Sequence, residues 1–351
     1  MKTSKIIYGI TLTLTCSLMV TIKAQTNIYV TSEFSIGEYG LNGQTNNSAL
    51  ISGLGAFNTI AISGNDLFAA NVANFPSGTA SAIGEYTTSG APIATPLITT
   101  GSSSPQGIAI SGTNLFVLNG GTIAEYTTSG KTLNSSLISG LNGANSIAIS
   151  GNDLFVTIMN GSTYAVGEYT LSGATVNASL ITYGLSGPTG IAISGNYLFV
   201  ANWYNGTIGE YTTSGQTINT NLISGLAQPE AIAIFGNDLF VVNQNGEVGS
   251  NYGYIGEYTL SGATVNSSLI AALSLPYGIA IGPLPAPQLN IVTVGNQSVL
   301  FYPTWAANYV LQRVTNLAST NWLTVSNGVP VIAVTVTNNL PASFYRLAPA
   351  E

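Results

Sequence analysis

The chain has 351 residues, of which 45% are hydrophobic and only 5% are charged, and its formal net charge is −7 at pH 7. With Lys+Arg 6 it cannot present the basic surface that nucleic acid requires, and its apolar content excludes a disordered chain. It contains no histidine, which excludes a Ser-His-Asp triad and a histidine-ligated metal or haem.

The N-terminal residues 1–24 have the layout of a secretory signal peptide. Lys2 and Lys5 precede an apolar run over residues 6–22, and the small residue Ala24 follows that run. Cleavage at this point removes the single cysteine, Cys16, so we expect a mature chain without a disulfide and without a membrane span. The predicted location is secreted, periplasmic or at the cell surface. A retained membrane anchor is the alternative.

From residue 27 onward the chain is an internal repeat. The tripeptide Gly-Glu-Tyr or Ala-Glu-Tyr recurs every 40 to 47 residues, with its glutamate at Glu38, Glu85, Glu125, Glu168, Glu210 and Glu257. Between the tripeptides lie a Leu-Ile pair, an Ile-Ala-Ile segment and a Leu-Phe-Val segment, separated by turns rich in Gly, Asn and Ser. Four short strands per unit predict a blade of a β-propeller. We name them a (Ile-Ala-Ile), b (Leu-Phe-Val), c (Gly-Glu-Tyr) and d (Leu-Ile).

The two ends of the repeat are out of phase with each other. The array begins with a strand b at residues 28–30 and stops after a strand a at residues 279–281. The sequence therefore predicts that the two ends share one blade in a 3+1 arrangement, which leaves no open edge in the ring. Residues 25–282 are predicted to form an all-β, six-bladed β-propeller, and a stacked solenoid is the alternative.

One unit carries a family resemblance most clearly. Residues 228–243 read Gln-Pro-Glu-Ala-Ile-Ala-Ile-Phe-Gly-Asn-Asp-Leu-Phe-Val-Val-Asn, and Ile-Gly-Glu-Tyr follows at 255–258. This unit resembles the NHL repeat, and the resemblance covers all six units and implies a propeller. The family's aspartate after Val-Ala is an asparagine here, as at Asn202 and Asn243, and its later basic residue is missing. The departure argues against RNA or phosphate binding.

The C-terminal part of the chain has a different pattern. Residues 283–287 form a Pro-rich linker, and residues 288–351 alternate apolar and polar positions between Gly-Asn turns. We predict a small β-sandwich with Trp305 and Trp322 in its core. This segment resembles the C-terminal β-sandwich module of exported bacterial proteins, which implies secretion or surface display.

Two groups of residues are candidates for chemistry. A glutamate on strand c of every blade indicates architecture, because a ligand site usually breaks the symmetry of a repeat. The first position of strand a faces the channel mouth and differs from blade to blade. The gluconolactonase-like propellers, which share this architecture, hold a divalent metal in the channel. By that resemblance Glu230, Asn58 and Asn145 converge on one Ca²⁺, which is the basis of the alternative function, a metal-dependent gluconolactonase-like hydrolase.

The loops between strands b and c and between d and a vary in length, whereas the a–b and c–d turns are nearly constant. The b–c loops carry the aromatic residues Phe75, Tyr164, Trp203, Tyr204 and Tyr252. Exposed aromatic residues favour binding, although drift in unconstrained loops is the alternative. We predict a non-enzymatic binding module without a cofactor, whose b–c/d–a face takes a glycan, peptide or protein ligand. The predicted ligand-binding residues are Trp203, Tyr204, Asn202, Glu230 and Tyr277.

Overall fold

We examined a computed structural model of the chain. It describes residues 26–53, 55, 57–71, 80–101, 103–161, 163–244 and 252–283, and six further strands between residues 290 and 349. The signal-peptide prediction for 1–24 lies outside the described residues. Every regular element in the described part of the chain is a β-strand. The same residues contain no helix that is long and apolar enough to cross a membrane.

Six antiparallel four-stranded sheets form the blades of a β-propeller, which confirms the predicted fold class. Each blade runs a, b, c, d from the channel outward. Blade 1 contains β24 (Ile279–Pro283), β1 (Thr26–Thr31), β2 (Ser35–Gly40) and β3 (Thr45–Ser52). Blade 2 contains β4 (Phe57–Ser63), β5 (Asp66–Asn71), β6 (Ser81–Thr87) and β7 (Pro92–Gly101). Blade 3 contains β8 (Pro105–Ser111), β9 (Asn114–Asn119), β10 (Thr122–Thr127) and β11 (Thr132–Ile138). Blade 4 contains β12 (Ala144–Ser150), β13 (Asp153–Asn160), β14 (Thr163–Thr170) and β15 (Thr175–Ile181). Blade 5 contains β16 (Pro188–Ser194), β17 (Tyr197–Asn202), β18 (Thr207–Thr212) and β19 (Thr217–Ile223). Blade 6 contains β20 (Pro229–Phe235), β21 (Asp238–Asn243), β22 (Tyr252–Thr259) and β23 (Thr264–Ser274).

Blade 1 closes the ring in the predicted 3+1 arrangement. Strand β24 from the end of the array pairs with β1 from its beginning, with Val30 opposite Ile279 and Ile28 opposite Ile281. Strand β1 pairs on its other side with β2. Pro283, predicted as the first residue of the linker, lies opposite Thr26 and is the last residue of the closing strand.

The Gly-Glu-Tyr motif is explained by the path of its tyrosine. The ring folds back over the glycine two residues earlier, so that a Cβ added at Gly84 would lie 2.8 Å from the Tyr86 hydroxyl oxygen. Tyr86 then packs into a buried cluster with Tyr29 of the preceding blade. Blade 3 has Ala124 in place of the glycine, and there Tyr126 is only half-buried. Tyr86 of this motif therefore packs between neighbouring blades.

The c–d turns are constant because each one contacts the blade before it. In blade 2 the Thr87 hydroxyl accepts a hydrogen bond from the Ala91 backbone N–H at 3.0 Å and is 2.8 Å from the Ser89 hydroxyl. Gly90 has a φ of +85°, and a Cβ on it would lie 2.7 Å from the carbonyl oxygen of Leu50 in blade 1. Glycine is therefore required here both for the backbone conformation and for the close approach.

The outermost strands carry local bulges that disfavour edge-to-edge pairing with another strand. In β11 the side-chain oxygen of Asn134 accepts from the Ser136 backbone N–H at 3.0 Å, and the pairing register with β10 shifts beside it. Equivalent bonds occur at Asn47, Asn177, Asn219 and Asn266. Such bulges make a strand a poor template for another strand.

The chain divides into two compact units, of which the larger is Gln25–Ala286. In the C-terminal segment the strands form two antiparallel three-stranded sheets, of order β25-β26-β29 and β28-β27-β30. These strands are β25 (Asn290–Val294), β26 (Gln297–Phe301), β27 (Tyr309–Val314), β28 (Leu323–Thr324), β29 (Ala333–Thr337) and β30 (Phe344–Pro349). Trp305 and Trp322 lie outside the described residues, and the packing of the two sheets as a sandwich stays a prediction.

Candidate functional site

The two ends of the propeller differ in character. The a–b and c–d turns lie on one face, and the b–c and d–a loops lie on the other, because neighbouring strands within a blade are antiparallel. Of the exposed large aromatic side chains among the described residues, one belongs to the a–b/c–d face and four belong to the b–c/d–a face. The first is Tyr197, and the others are Phe34, Tyr183, Tyr204 and Tyr252.

On the a–b/c–d face two of the strand-c glutamates accept hydrogen bonds within their own blades. The Asn114 side-chain amide donates a hydrogen bond to Glu125 at 2.8 Å, and Asn27 makes the same bond to Glu38. In blade 4 the position of Asn114 is taken by Asp153. There burial, and secondarily the charge of Asp153, raise the pKa of Glu168. A groove of about 370 Å³ beside Asp153 and Glu168 is also lined by Phe155, Leu180 and the turn residues Thr213 and Ser214.

The predicted residues Trp203 and Tyr204 lie in the b–c loop of blade 5, where they contact each other. Their ring centroids are 5.1 Å apart in an edge-to-face arrangement, and the Tyr204 ring is 6.3 Å from that of Tyr164 in blade 4. We call these three side chains the aromatic loop cluster. Tyr204 is 58% exposed, so the cluster combines mutual packing with an open ring surface. Edge-to-face pairs of this kind hold aromatic side chains in fixed positions.

The backbone beneath the cluster is held by the preceding d–a loop. The N–H of Trp203 donates to the Gly187 carbonyl at 2.9 Å, and the N–H of Tyr204 donates to the Ser186 carbonyl at 3.1 Å. A Cβ added at Gly187 would lie 2.5 Å from the Tyr204 ring. Gly187 also has a φ of +65°. Tyr204 therefore rests against a backbone site that only glycine can occupy without displacing the ring.

The structure gives Asn202 a supporting position under this loop. Its side chain is completely buried. Its Oδ1 accepts from the Ser186 backbone N–H at 2.9 Å, and its Nδ2 donates to the Thr207 hydroxyl at 3.3 Å. With both ends of the amide engaged, Asn202 joins the d–a loop to the b–c loop and holds the cluster above it. It was predicted to contact the ligand directly, and this geometry makes it a positioning residue.

The other predicted residues meet at the mouth of the central channel. They line a cavity of about 170 Å³ that receives the start of strand a from every blade. The six positions are Asn58, Gln106, Asn145, Thr189, Glu230 and Tyr277. The structure thus brings Glu230, Tyr277, Asn58 and Asn145 together, and it places Trp203 and Tyr204 in a loop of blade 5.

Several polar side chains of the channel bond the blades to each other. The side-chain amide of Asn58 donates to the Pro105 carbonyl of the next blade at 3.1 Å, and Asn145 does the same to Pro188. The Thr189 hydroxyl donates to the Pro229 carbonyl at 2.8 Å. These bonds leave the Oδ1 atoms of the two asparagines as acceptors but give both side chains a structural task.

Burial raises the pKa of Glu230 to about 7. Burial also raises the pKa of Tyr277, and the charges of Glu230 and Glu33 add to that effect. A carboxyl group in this position is neutral over much of the range in which a surface glutamate is ionised, so it donates as well as accepts hydrogen bonds.

These residues fit the predicted Ca²⁺ poorly. Calcium takes six to eight oxygen ligands and favours several carboxylates. Glu230 supplies one carboxyl group, and its surroundings favour the protonated form. Within the described parts of the chain, no group of three or more acidic, cysteine or histidine side chains could hold a metal ion.

Comparison with known proteins supports the architecture. A chain in a crystal structure of a nidogen/laminin complex matches with a TM-score of 0.61 and 16% identity, over 74% of this chain and 99% of that one. A protein of unknown function from Bacteroides caccae matches with a TM-score of 0.53 and 17% identity, over 74% and 100%. No protein-family model and no curated protein matches the chain. Identities this low show the fold alone. The chain is a six-bladed β-propeller, and its NHL-like subtype stays a prediction.

Sequence reasoning missed two of the exposed aromatic side chains. Phe34 lies in the b–c loop of blade 1 and is 62% exposed, and Tyr183 lies in the d–a loop before blade 5 and is 74% exposed. Tyr183 shares its loop with Ser186 and Gly187, which hold the aromatic loop cluster. For Tyr183, the signal in the sequence was an aromatic residue directly before a d–a loop glycine, Gly184. Of the other b–c aromatic residues named from the sequence, Tyr252 is exposed, and Phe75 lies outside the described residues.

Proposed function

We propose that this protein is a secreted, non-enzymatic binding module whose ligand, a glycan, peptide or protein, binds the b–c/d–a face at the aromatic loop cluster. The observation that carries the proposal is the unequal distribution of exposed aromatic side chains between the two faces. In the parts of the chain that the structure describes, four of the five lie on the b–c/d–a face. Aromatic side chains are enriched where proteins bind partners, because they bury a large area at a small cost in conformational entropy.

The supporting structure around the cluster strengthens the proposal. Asn202 joins the two loops beneath the cluster, and Gly187 leaves room for the Tyr204 ring against the d–a loop. Binding sites are stronger when their side chains are held in place before the ligand arrives. The similar chain in the nidogen/laminin structure belongs to a complex between proteins, which agrees with an interaction role for this fold.

The test compares two exposed tyrosines on opposite faces. Immobilised glycan and peptide arrays are probed with the wild type, with Tyr204→Ala and with Tyr197→Ala. We expect Tyr204→Ala to lose the binding seen for the wild type, and Tyr197→Ala to retain it, because Tyr197 lies on the a–b/c–d face. Circular dichroism establishes that each variant is folded. Binding that survives Tyr204→Ala and disappears with Tyr197→Ala would place the site on the opposite face and refute the proposal.

The alternative function is a metal-dependent, gluconolactonase-like hydrolase with one Ca²⁺ in the channel. It is favoured by one observation, the convergence of Glu230, Asn58 and Asn145 on the same cavity. Thermal unfolding with millimolar Ca²⁺ discriminates between the two functions, since a metal that binds only the folded protein raises its midpoint. We expect an unchanged midpoint. A rise in the wild type that is absent in Glu230→Gln would support the hydrolase instead.

A further inference from the structure

The loops that form the aromatic loop cluster contain no acidic or basic residue. They comprise residues 159–164, 183–187 and 202–207, whose polar side chains are amides and hydroxyls such as Asn160, Ser186 and Asn205. Asn205 accepts a hydrogen bond from Thr207 at 2.9 Å, so part of this polar set is already ordered. The surroundings of the cluster are therefore polar but without charge.

The rest of the b–c/d–a face offers no counter-charge for an anionic ligand. Residues 25–286 contain a single basic residue, Lys131. Lys131 lies in the c–d turn of blade 3, which is on the opposite face of the propeller. Its backbone carbonyl accepts a hydrogen bond from the Thr127 backbone N–H in the same turn. Sulfated, phosphorylated and uronic-acid ligands would thus meet no basic group here. Near the channel mouth they would meet the carboxyl groups of Glu230 and Glu33. Burying an unpaired charge against such a surface is unfavourable.

The backbone around the cluster is also unsuited to an extended peptide. Peptides in extended form bind by adding a strand to an open sheet edge. In the blade-5 loop the N–H groups of Trp203, Tyr204 and Gly206 all donate to carbonyls of the protein itself. The outer strand of the blade carries the Asn219 bulge, with its 3.0 Å bond to the Asn221 N–H. Neither the loop nor the outer strand offers an unbroken row of backbone groups.

From these observations, and resting on the proposed binding face, we infer that the ligand is a neutral saccharide whose ring stacks on Tyr204. A pyranose ring has one face made of C–H groups and a rim of hydroxyl groups. The C–H face matches an exposed aromatic ring, and the hydroxyl rim matches neighbouring amides and hydroxyls, which donate and accept without carrying charge. The edge-to-face contact with Trp203 holds the stacking ring in place.

The experiment measures affinity by isothermal titration with three kinds of probe: neutral oligosaccharides, their uronic-acid or amino-sugar counterparts, and uncharged peptides of similar size. The full mature chain is used, together with Tyr204→Ala, Tyr204→Phe and the control Tyr197→Ala. We expect neutral oligosaccharides to bind, with affinity changing less than about twofold between about 0.05 and 0.5 M NaCl, because no ion pair is formed. Tyr204→Ala should weaken binding about tenfold or more, whereas Tyr204→Phe, which keeps the ring, and Tyr197→Ala should bind like the wild type.

The outcomes separate this inference from the proposed function. Binding restricted to peptides or to charged saccharides, but still lost with Tyr204→Ala, would overturn the saccharide inference and leave the binding face standing. Affinity that falls steeply with salt would also overturn it. Neutral saccharides that bind equally well to Tyr204→Ala would overturn both. If no neutral saccharide of the panel binds the wild type, the inference is rejected.

Discussion

Replacing Glu230 with glutamine should change how the stability of the propeller depends on pH. Burial raises the pKa of Glu230 from 4.5 to about 7. The folded protein therefore keeps this proton over a pH range in which the unfolded chain releases it. As the pH rises from 4.5 to 7, the unfolded state binds fewer protons than the folded state, and Glu230 lowers the free energy of unfolding. Below pH 4.5 the group is protonated in both states and contributes no such loss.

The magnitude follows from the size of the shift. Each pKa unit corresponds to about 1.4 kcal/mol, so a shift from 4.5 to about 7 gives an upper value of about 3 kcal/mol. The side chain keeps some exposure to the cavity, so we expect a loss of about 1.5 to 3 kcal/mol in the wild type between pH 4 and pH 8. Glutamine has a similar shape and no charge. At pH 8 Glu230→Gln should be more stable than the wild type by this amount, and at pH 4 the two proteins should be equally stable.

The assay is urea denaturation of both proteins at pH 4 and pH 8, followed by tyrosine fluorescence and circular dichroism. Other carboxyl groups with raised pKa values, such as Glu85 and Glu168, are present in both proteins, so the difference between them isolates Glu230. Equal pH dependence in the two proteins would refute the reasoning, because Glu230 would then be ionised as freely as a surface carboxylate.

Three further predictions concern the loop support, the closure and the C-terminal segment. Asn202→Ala leaves the partly buried Ser186 N–H without its acceptor, so we expect about 1 kcal/mol of lost stability together with weaker binding; denaturation unchanged from the wild type would contradict its positioning role. Val30→Pro interrupts the pairing of β1 with both neighbours and should cost at least about 3 kcal/mol or prevent folding, whereas a fully stable variant would refute the shared blade. Limited proteolysis within 284–287 should release a propeller with an unchanged unfolding midpoint, and collapse of the propeller would show that the C-terminal segment belongs to its core.

The fold could be predicted because the same pattern of four strands recurs six times in the sequence. Each turn that must approach its neighbour carries a glycine, as Gly90 does, and the tyrosine that covers a glycine fixes the spacing of the motif. The closure was also predictable, since strands β1 and β24 complete one blade only if they pair. Local patterns of this kind are repeated in every blade, and repetition makes them readable without an alignment.

The site was less readable, because its parts come from segments that meet only in the folded chain. The sequence predicts Asn202 as a ligand-binding residue, whereas in the structure its side-chain oxygen accepts a hydrogen bond from the Ser186 N–H of the preceding loop. A signal was present, since Asn243 has the same position in blade 6 and accepts from Ala227 at 3.3 Å. A residue repeated in this way indicates support. The exposure of Phe34 and Tyr183 depends on how their loops lie, which residue type does not determine.

The fluorescence of Trp203 tests the central claim most directly. The two other tryptophans, Trp305 and Trp322, lie in the C-terminal segment, so Trp305→Phe with Trp322→Phe leaves Trp203 as the single tryptophan reporter. Titration of this variant with a neutral oligosaccharide should change the emission to saturation, with a midpoint equal to the Kd from calorimetry. The further substitution Tyr204→Ala should remove the change. Calorimetric binding with unchanged Trp203 emission would place the ligand elsewhere and contradict the account.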